Sequence, residues 1–394
     1  MGQITETIRH GYGGRLKNAF GGIIVGIILV FVTIGVLWFN EKRSVDRYRD
    51  LKEGAGSVVS VGSDSVAGDN EGKLIHFSGE AVTDEVLTDE EFGISQQAIK
   101  LSRQVEMYQW VETVRREEKK NTGGSTTTTK TYSYSKEWKP NRIDSSRFNS
   151  TRYQNPSTMP FSSNTFVAED VTVGAFTLPA FSIARISGSE AIIPTTLEGT
   201  SSKFREKGSI TSTGFYWGTT PDAPEIGDVR ISFSATMPGP VSVVAQQQGS
   251  TLAKFTTSRG GSLDLLERGI VPAEAMFKKA QDRNRILTWI LRGVGFVLLG
   301  FGFGLILKPL SVAADVLPFL GNLVGAGVGL IGFLLGAIVW TVVVAFAWVF
   351  YRPVIGIALL LVTAAAIFLI FKVVRSRKKS SAPPPLADAP PPLT

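Results

Sequence analysis

The residue types that this chain lacks limit its chemistry first. Its 394 residues include no cysteine and only two histidines, His10 and His76. Thiol catalysis, disulfides and cysteine-based metal clusters are therefore excluded, and two histidines cannot build a multi-histidine metal centre. A Ser-His-Asp arrangement in the chain's hydrophilic part would have to use His76, since His10 precedes the first long apolar run. Carboxylates gather twice: Asp64, Asp69 and Glu71 in "GSDSVAGDNEG", then Asp84, Glu85, Asp89, Glu90 and Glu91 in "TDEVLTDEEFG". Neither run has the alternating ligands, glycine turn and closing Glu of a calcium loop. Two carboxylates facing one cleft would suffice for glycoside hydrolysis, so an extracytoplasmic hydrolase is one reading, beside the plainer one of solvated acidic loops. Gly72-Lys73 leads into Leu74, which breaks the phosphate-loop pattern. No catalytic residue, cofactor or metal ligand is assigned, and the chain reads as a non-enzyme.

The elements that would position any site are segregated. Apolar runs cover Phe20–Phe39, Ile286–Leu307, Leu323–Phe350 and Val354–Phe371, and the interval between Asn40 and Arg285 has none comparable. Each run approaches or exceeds the roughly 20 residues that cross a bilayer. The expectation is an α+β membrane protein with four transmembrane helices and a large β-rich extracytoplasmic domain between the first and second. Its parts are a cytoplasmic segment 1–19, spans at 20–39, 286–307, 323–349 and 354–371, the domain at 40–285, an interfacial connector at 308–322 and a basic, then Pro-rich tail at 372–394. Lys372, Arg375, Arg377, Lys378 and Lys379 put that tail, and with four spans the N-terminus, in the cytosol. The sequence pI of 9.5 reflects basic residues crowded at span ends, where they meet lipid headgroups. Nucleic acid is not an expected partner.

Two patterns stand out. "VEMYQWVETVRREEKKNTGGSTTTTKTYSYSKEW", from Val105 to Trp138, alternates, turns at Gly123-Gly124 and alternates again, as a long hairpin does. Tyr108 and Trp110 share a face of one limb, and Tyr132, Tyr134 and Trp138 a face of the other. These five form a candidate domain interface, and the charged tip at Arg115–Lys120 is expected to project into solvent or to reach a neighbouring subunit. In the third apolar run, Gly321, Gly325, Gly329, Gly332 and Gly336 form a stripe about 80° wide, and Gly22 with Gly26 repeats the spacing. Small residues let helices approach closely in lipid, so these seven are a candidate seam for helix packing or oligomerisation. Arg292, the one charge well inside a span, is expected to reach the interface by snorkelling. Shorter strands are expected at Lys73–Ser78 and Thr251–Thr256, a second hairpin joins Val229–Ala235 to Val241–Gln247, and a helix from Pro272 leads into the second span.

The stretches "NEGKLIHFSGE" (70–80), "VEMYQWVET" (105–113), "YSYSKEW" (132–138), "GDVRISFS" (227–234), "VVAQQQGSTL" (243–252) and "FYRP" (350–353), in this order, resemble the LUMA (transmembrane protein 43) family over nearly the whole chain. The resemblance implies four spans, a large lumenal domain, self-association and a role in organising membrane protein complexes. The tail "APPPLADAPPPLT" and the glycine-rich third span depart from the animal pattern and suggest a bacterial relative in an inner membrane, with a periplasmic domain. The expected function is that of a membrane scaffold whose partners are lipids, further copies of itself and other membrane proteins. An ion channel or channel subunit formed by the oligomer is the alternative.

Overall fold

The structure is a computed structural model describing residues 3–316 and 318–351, with six helical positions scattered between Ile357 and Phe368. The expected fourth span and the Pro-rich tail lie outside the described residues, apart from those positions. Among the described residues, three helices are long and apolar enough to cross a membrane. They are α1 (Tyr12–Ser57), α2 (Ala273–Ala314) and α3 (Pro318–Tyr351). Helix is the one open conformation that satisfies its own backbone in lipid. The chain forms two compact units.

The first unit is β-rich. Its larger sheet holds β1 (Gln3–His10), β3 (Lys100–Lys120), β4 (Thr126–Lys139), β5 (Gly214–Trp217) and β6 (Val229–Thr236) in the order β1-β4-β3-β6-β5. The smaller sheet is centred on β2 (Leu74–Val82) beside β7 (Gly239–Gln248). Inward residues of both sheets make one core. Ile75 and Phe77 come from the smaller sheet, and Leu101, Val105, Met107 and Phe233 from the larger. Phe92 sits among Phe161, Phe204, Phe215 and Phe233, with ring centroids 5.2–5.9 Å away. Burying each such side chain contributes about 1.5–3 kcal/mol. A second cluster joins Leu51 of α1 and Met276 and Phe277 of α2 to Leu74, Val244 and Leu263.

The long hairpin is present as β3 and β4, paired from Met107↔Lys139 to Lys120↔Thr126. Gly123 and Gly124 take positive φ in its turn, which a Cβ would strain. Val229–Thr236 and Gly239–Gln248 are strands but not a hairpin: β6 pairs with β3 and β5, whereas β7 pairs with β2. Pro238 and Pro240 lack the N–H donors that a tight two-strand turn would use, so the chain passes from one sheet to the other. The segment 1–19 is not separate from the β-rich domain. Gln3–His10 is an edge strand antiparallel to β4, from Gln3↔Ser133 to His10↔Thr126. The connector 308–322 also contracts to a corner. α2 continues through Pro309 to Ala314, and Pro318 opens α3, a position where its missing N–H costs nothing.

The second unit is the bundle of residues 18–45, 287–311 and 323 onward. Val30, Leu37 and Leu299 are buried with Ile34, Phe303, Ile306, Val339 and Trp340 against them. Glycine permits the approach. A Cβ on Gly26 would lie 2.6 Å from the Gly302 carbonyl oxygen, and one on Gly332 would lie 2.9 Å from the Gly304 nitrogen.

Since the chain has no native cysteine, one introduced pair reports the β1–β4 register. Thr7→Cys with Thr129→Cys, which face each other across the pairing, should form an intramolecular disulfide under mild oxidation. A Thr7→Cys/Ser135→Cys control should not, and absence of the first cross-link would place β1 elsewhere.

Candidate functional site

The outer face of the β3–β4 ribbon carries the aromatic residues. In the pairing Tyr108 faces Trp138, Trp110 faces Lys136 and Glu112 faces Tyr134. Alternation puts these on the face opposite the buried Val105, Met107 and Gln109. Tyr108 and Trp138 are 5.0 Å apart by ring centroid. The loop after β4 folds back and adds Tyr153, stacked on Tyr134 at 3.9 Å and edge-on to Trp110 at 4.8 Å. Asn155 fixes that loop, because its side chain accepts from the Trp110 N–H at 2.7 Å and donates to the Trp110 carbonyl at 3.0 Å. Asn155 thereby occupies the strand edge as a paired residue would.

Together Tyr108, Trp110, Tyr134, Ser135, Lys136, Arg152 and Tyr153 line an open cavity of about 590 Å³. Lys136 lies over the Trp110 ring at 5.2 Å, a favourable cation–π placement. Tyr134 donates its hydroxyl to Glu112 at 2.6 Å, and burial with that carboxylate pushes its pKa up to about 12, so it remains a neutral donor at physiological pH. Of the five candidate interface residues, the cavity takes Tyr108, Trp110 and Tyr134. Trp138 extends the aromatic row, while Tyr132 is covered by β1 and donates to Glu6 at 2.9 Å. Tyr153 and Arg152 were not expected there. Asn155-Pro156 after a charged loop is the sequence signal for the turn that returns them.

The other reactive groups are engaged elsewhere. Asp89 is buried and bound to Arg103 at 2.9 Å, and Glu91 holds the same guanidinium. Burial raises the Asp89 pKa, opposed by Arg103. Glu71 accepts the Gly249 N–H, and Glu85 that of Asp170. Neither the aromatic cavity nor the one beside Glu118, Lys119 and Lys120 is lined by two carboxylates. His76 is fixed between Ser60 Oγ, 3.3 Å from Nδ1, and the Val271 carbonyl, 2.9 Å from Nε2. Nε2 donates to that carbonyl, which has no proton to give. No group of three potential metal ligands occurs among the described residues.

The hairpin tip is held by its own chain. Lys120 pairs with buried Asp315 at 2.7 Å, Arg15 pairs with the same carboxylate, and the Gly123 N–H donates to the Val316 carbonyl at 3.1 Å. The turn from Lys120 to Gly123 is thus clasped within the chain, while Arg115–Lys119 are exposed as expected of a tip that projects into solvent. The glycine stripe also divides. Gly26, Gly332 and Gly336 pack within the chain, Gly22 loosely against Leu305, and Gly321 against Asp315. Gly329 has open space, and Gly325 is half-buried in α3.

Arg292 does not snorkel. It is 6% exposed and donates from Nε and Nη2 to Glu41 at 2.6 and 2.8 Å. Its guanidinium lies between the rings of Trp289 and Trp348, 4.6 and 5.0 Å from their centroids. The Trp348 indole also donates to Glu41 at 2.6 Å. Glu41 ends the first apolar run and Arg292 interrupts the second, and opposite charges in apolar helices find each other.

Three long apolar helices and a β-rich domain define a multi-pass integral membrane protein. The family described as Transmembrane protein 43 matches residues 107–353, and the chain belongs to it. It is 35% identical to Transmembrane protein 43 of Mus musculus over 89% of this chain and 90% of the relative, and 33% identical to that of Homo sapiens over the same shares. It is 31% identical to the Transmembrane protein 43 homolog of Drosophila melanogaster over 93% and 96%. No solved structure matches.

Glu41→Gln should destabilise the protein by about 3–5 kcal/mol, because it leaves a buried guanidinium unpaired, whereas Glu41→Leu with Arg292→Met should recover most of that loss. Thermal unfolding of the purified protein in one detergent compares them, and an undisturbed Glu41→Gln transition would show that the pair contributes little.

Proposed function

We propose that this chain is an integral membrane scaffold that self-associates and arranges other membrane proteins through its β-rich domain. The observation that carries this reading is the outward aromatic row of Trp138, Tyr108, Trp110 and Tyr153, backed by buried Tyr134 and interleaved with Lys136 and Arg152. Trp, Tyr and Arg are the residue types that dominate binding energy in protein interfaces. Asp89, Glu71 and His76, which a hydrolase could use, instead hold loops and strands in place. Membership of a family of transmembrane proteins is consistent with this role and names no reaction.

Self-association adds the lipid-facing helix surface. Phe31, Leu330, Leu334 and Ile338 are exposed, as is space around Gly329. Mass measurement of the protein in lipid nanodiscs is the test. A dimer or larger assembly, reduced to monomer by Gly329→Leu but not by a substitution at the exposed Ile24, is the expected outcome. A monomer at every concentration would remove self-association from the reading.

A further inference from the structure

We infer that the aromatic cavity on the β3–β4 ribbon is a docking site for an extended acidic peptide segment of a partner protein. This inference rests on the scaffold reading and names the chemistry of its partner. Charge favours an acidic partner. Lys136 and Arg152 both line the cavity and have no carboxylate partner among the described residues. Glu112, opposite Tyr134 in the pairing, is already bound by the Tyr134 hydroxyl and the Asn149 N–H, each at 2.6 Å. The Lys136 ammonium resting on Trp110 can turn to an incoming carboxylate without breaking an ion pair.

Spacing favours an extended one. Tyr108 and Trp110 are two residues apart on one strand, about 7 Å, and the side chains on one face of an extended peptide repeat at the same interval. Such a peptide, laid along the ribbon, would place successive side chains of one face over the Tyr108–Trp138 pair and the Trp110–Lys136 pair. Asn155 already occupies the backbone edge at Trp110, so a partner cannot add a strand there and must be read through side chains on the face. The aromatic walls are braced by ring contacts with one another, so they lose little freedom on binding.

The test uses the full chain in nanodiscs of neutral lipid and a fluorescent octapeptide of repeated Phe-Ser-Glu-Ser, which carries Phe and Glu in turn on one face when extended, with a Phe-Ser-Lys-Ser peptide as the charge-reversed control. The acidic peptide should bind and the basic one should not. Lys136→Glu combined with Arg152→Glu, both at exposed positions, should weaken binding at least about tenfold with the unfolding transition unchanged. Trp110→Leu, checked for fold by near-ultraviolet circular dichroism, should weaken it as well. Binding that ignores peptide charge, or that survives the double substitution, would overturn the proposal. So would a cavity that takes short-chain phosphatidylserine through Lys136 and Arg152 and leaves the acidic peptide unbound. Self-association is read by mass without any peptide, so it can fail or hold independently of this result.

Discussion

A carboxylate and a guanidinium removed from water organise the helical unit. Glu41 and Arg292 meet through two hydrogen bonds, and Trp348 donates the third to the same carboxylate. Each ion alone would be very costly in that setting, and the attraction offsets the desolvation only when the geometry satisfies both groups. One residue each comes from α1, α2 and α3, so a single ion pair fixes the register of all three helices. The Trp340 indole, donating to the Arg292 carbonyl at 2.9 Å, adds a second tie at the same level. The glycines then follow as a requirement, because helices registered this closely leave no room for a Cβ at Gly26, Gly332 or Gly336.

The β-rich unit solves a different problem. Its large sheet has one face in the core and one face outward, so alternation along a single strand supplies both a buried core and an aromatic outer face. On β3 the same run that buries Val105, Met107 and Gln109 presents Tyr108 and Trp110. The outward aromatics need support that solvent does not give, and the loop bearing Tyr153 provides it by stacking. Gln109 links the two faces. Buried under the ribbon, it donates to the Asn141 carbonyl and accepts from the Ile143 N–H, which pins the start of that loop.

Local patterns were legible in the sequence and distant pairings were not. The ribbon could be read because alternation, β-branched threonines and a Gly-Gly turn agree within one continuous stretch. The three described helices could be read from apolar length. The two strands flanking Met237–Pro238 were misread as a hairpin because adjacency and alternation suggest one, and only the prolines argue against it. β1 was missed for a related reason: Gln3–His10 is short, polar and beside an apolar run, and its partner lies far along the chain. Arg292 was visible as an unusual charge, but its meeting with Glu41 depends on how three helices pack. The cavity was half legible, since its strand residues alternate predictably and its loop residues obey no period.

The pairing of β1 with β4 also sets an order of events during synthesis. Gln3 and Ser133 are neighbours in the finished sheet, yet a ribosome adding roughly 5–20 residues per second needs on the order of ten seconds to pass from one to the other. Throughout that interval the first strand has no partner, while the apolar part of α1 has already emerged and can enter the membrane. The N-terminal residues must therefore stay soluble as an unpaired segment, and the polar composition of "QITETIRH" suits that wait. Closure of the large sheet is consequently a late step, because β1 is made well before the strand it joins.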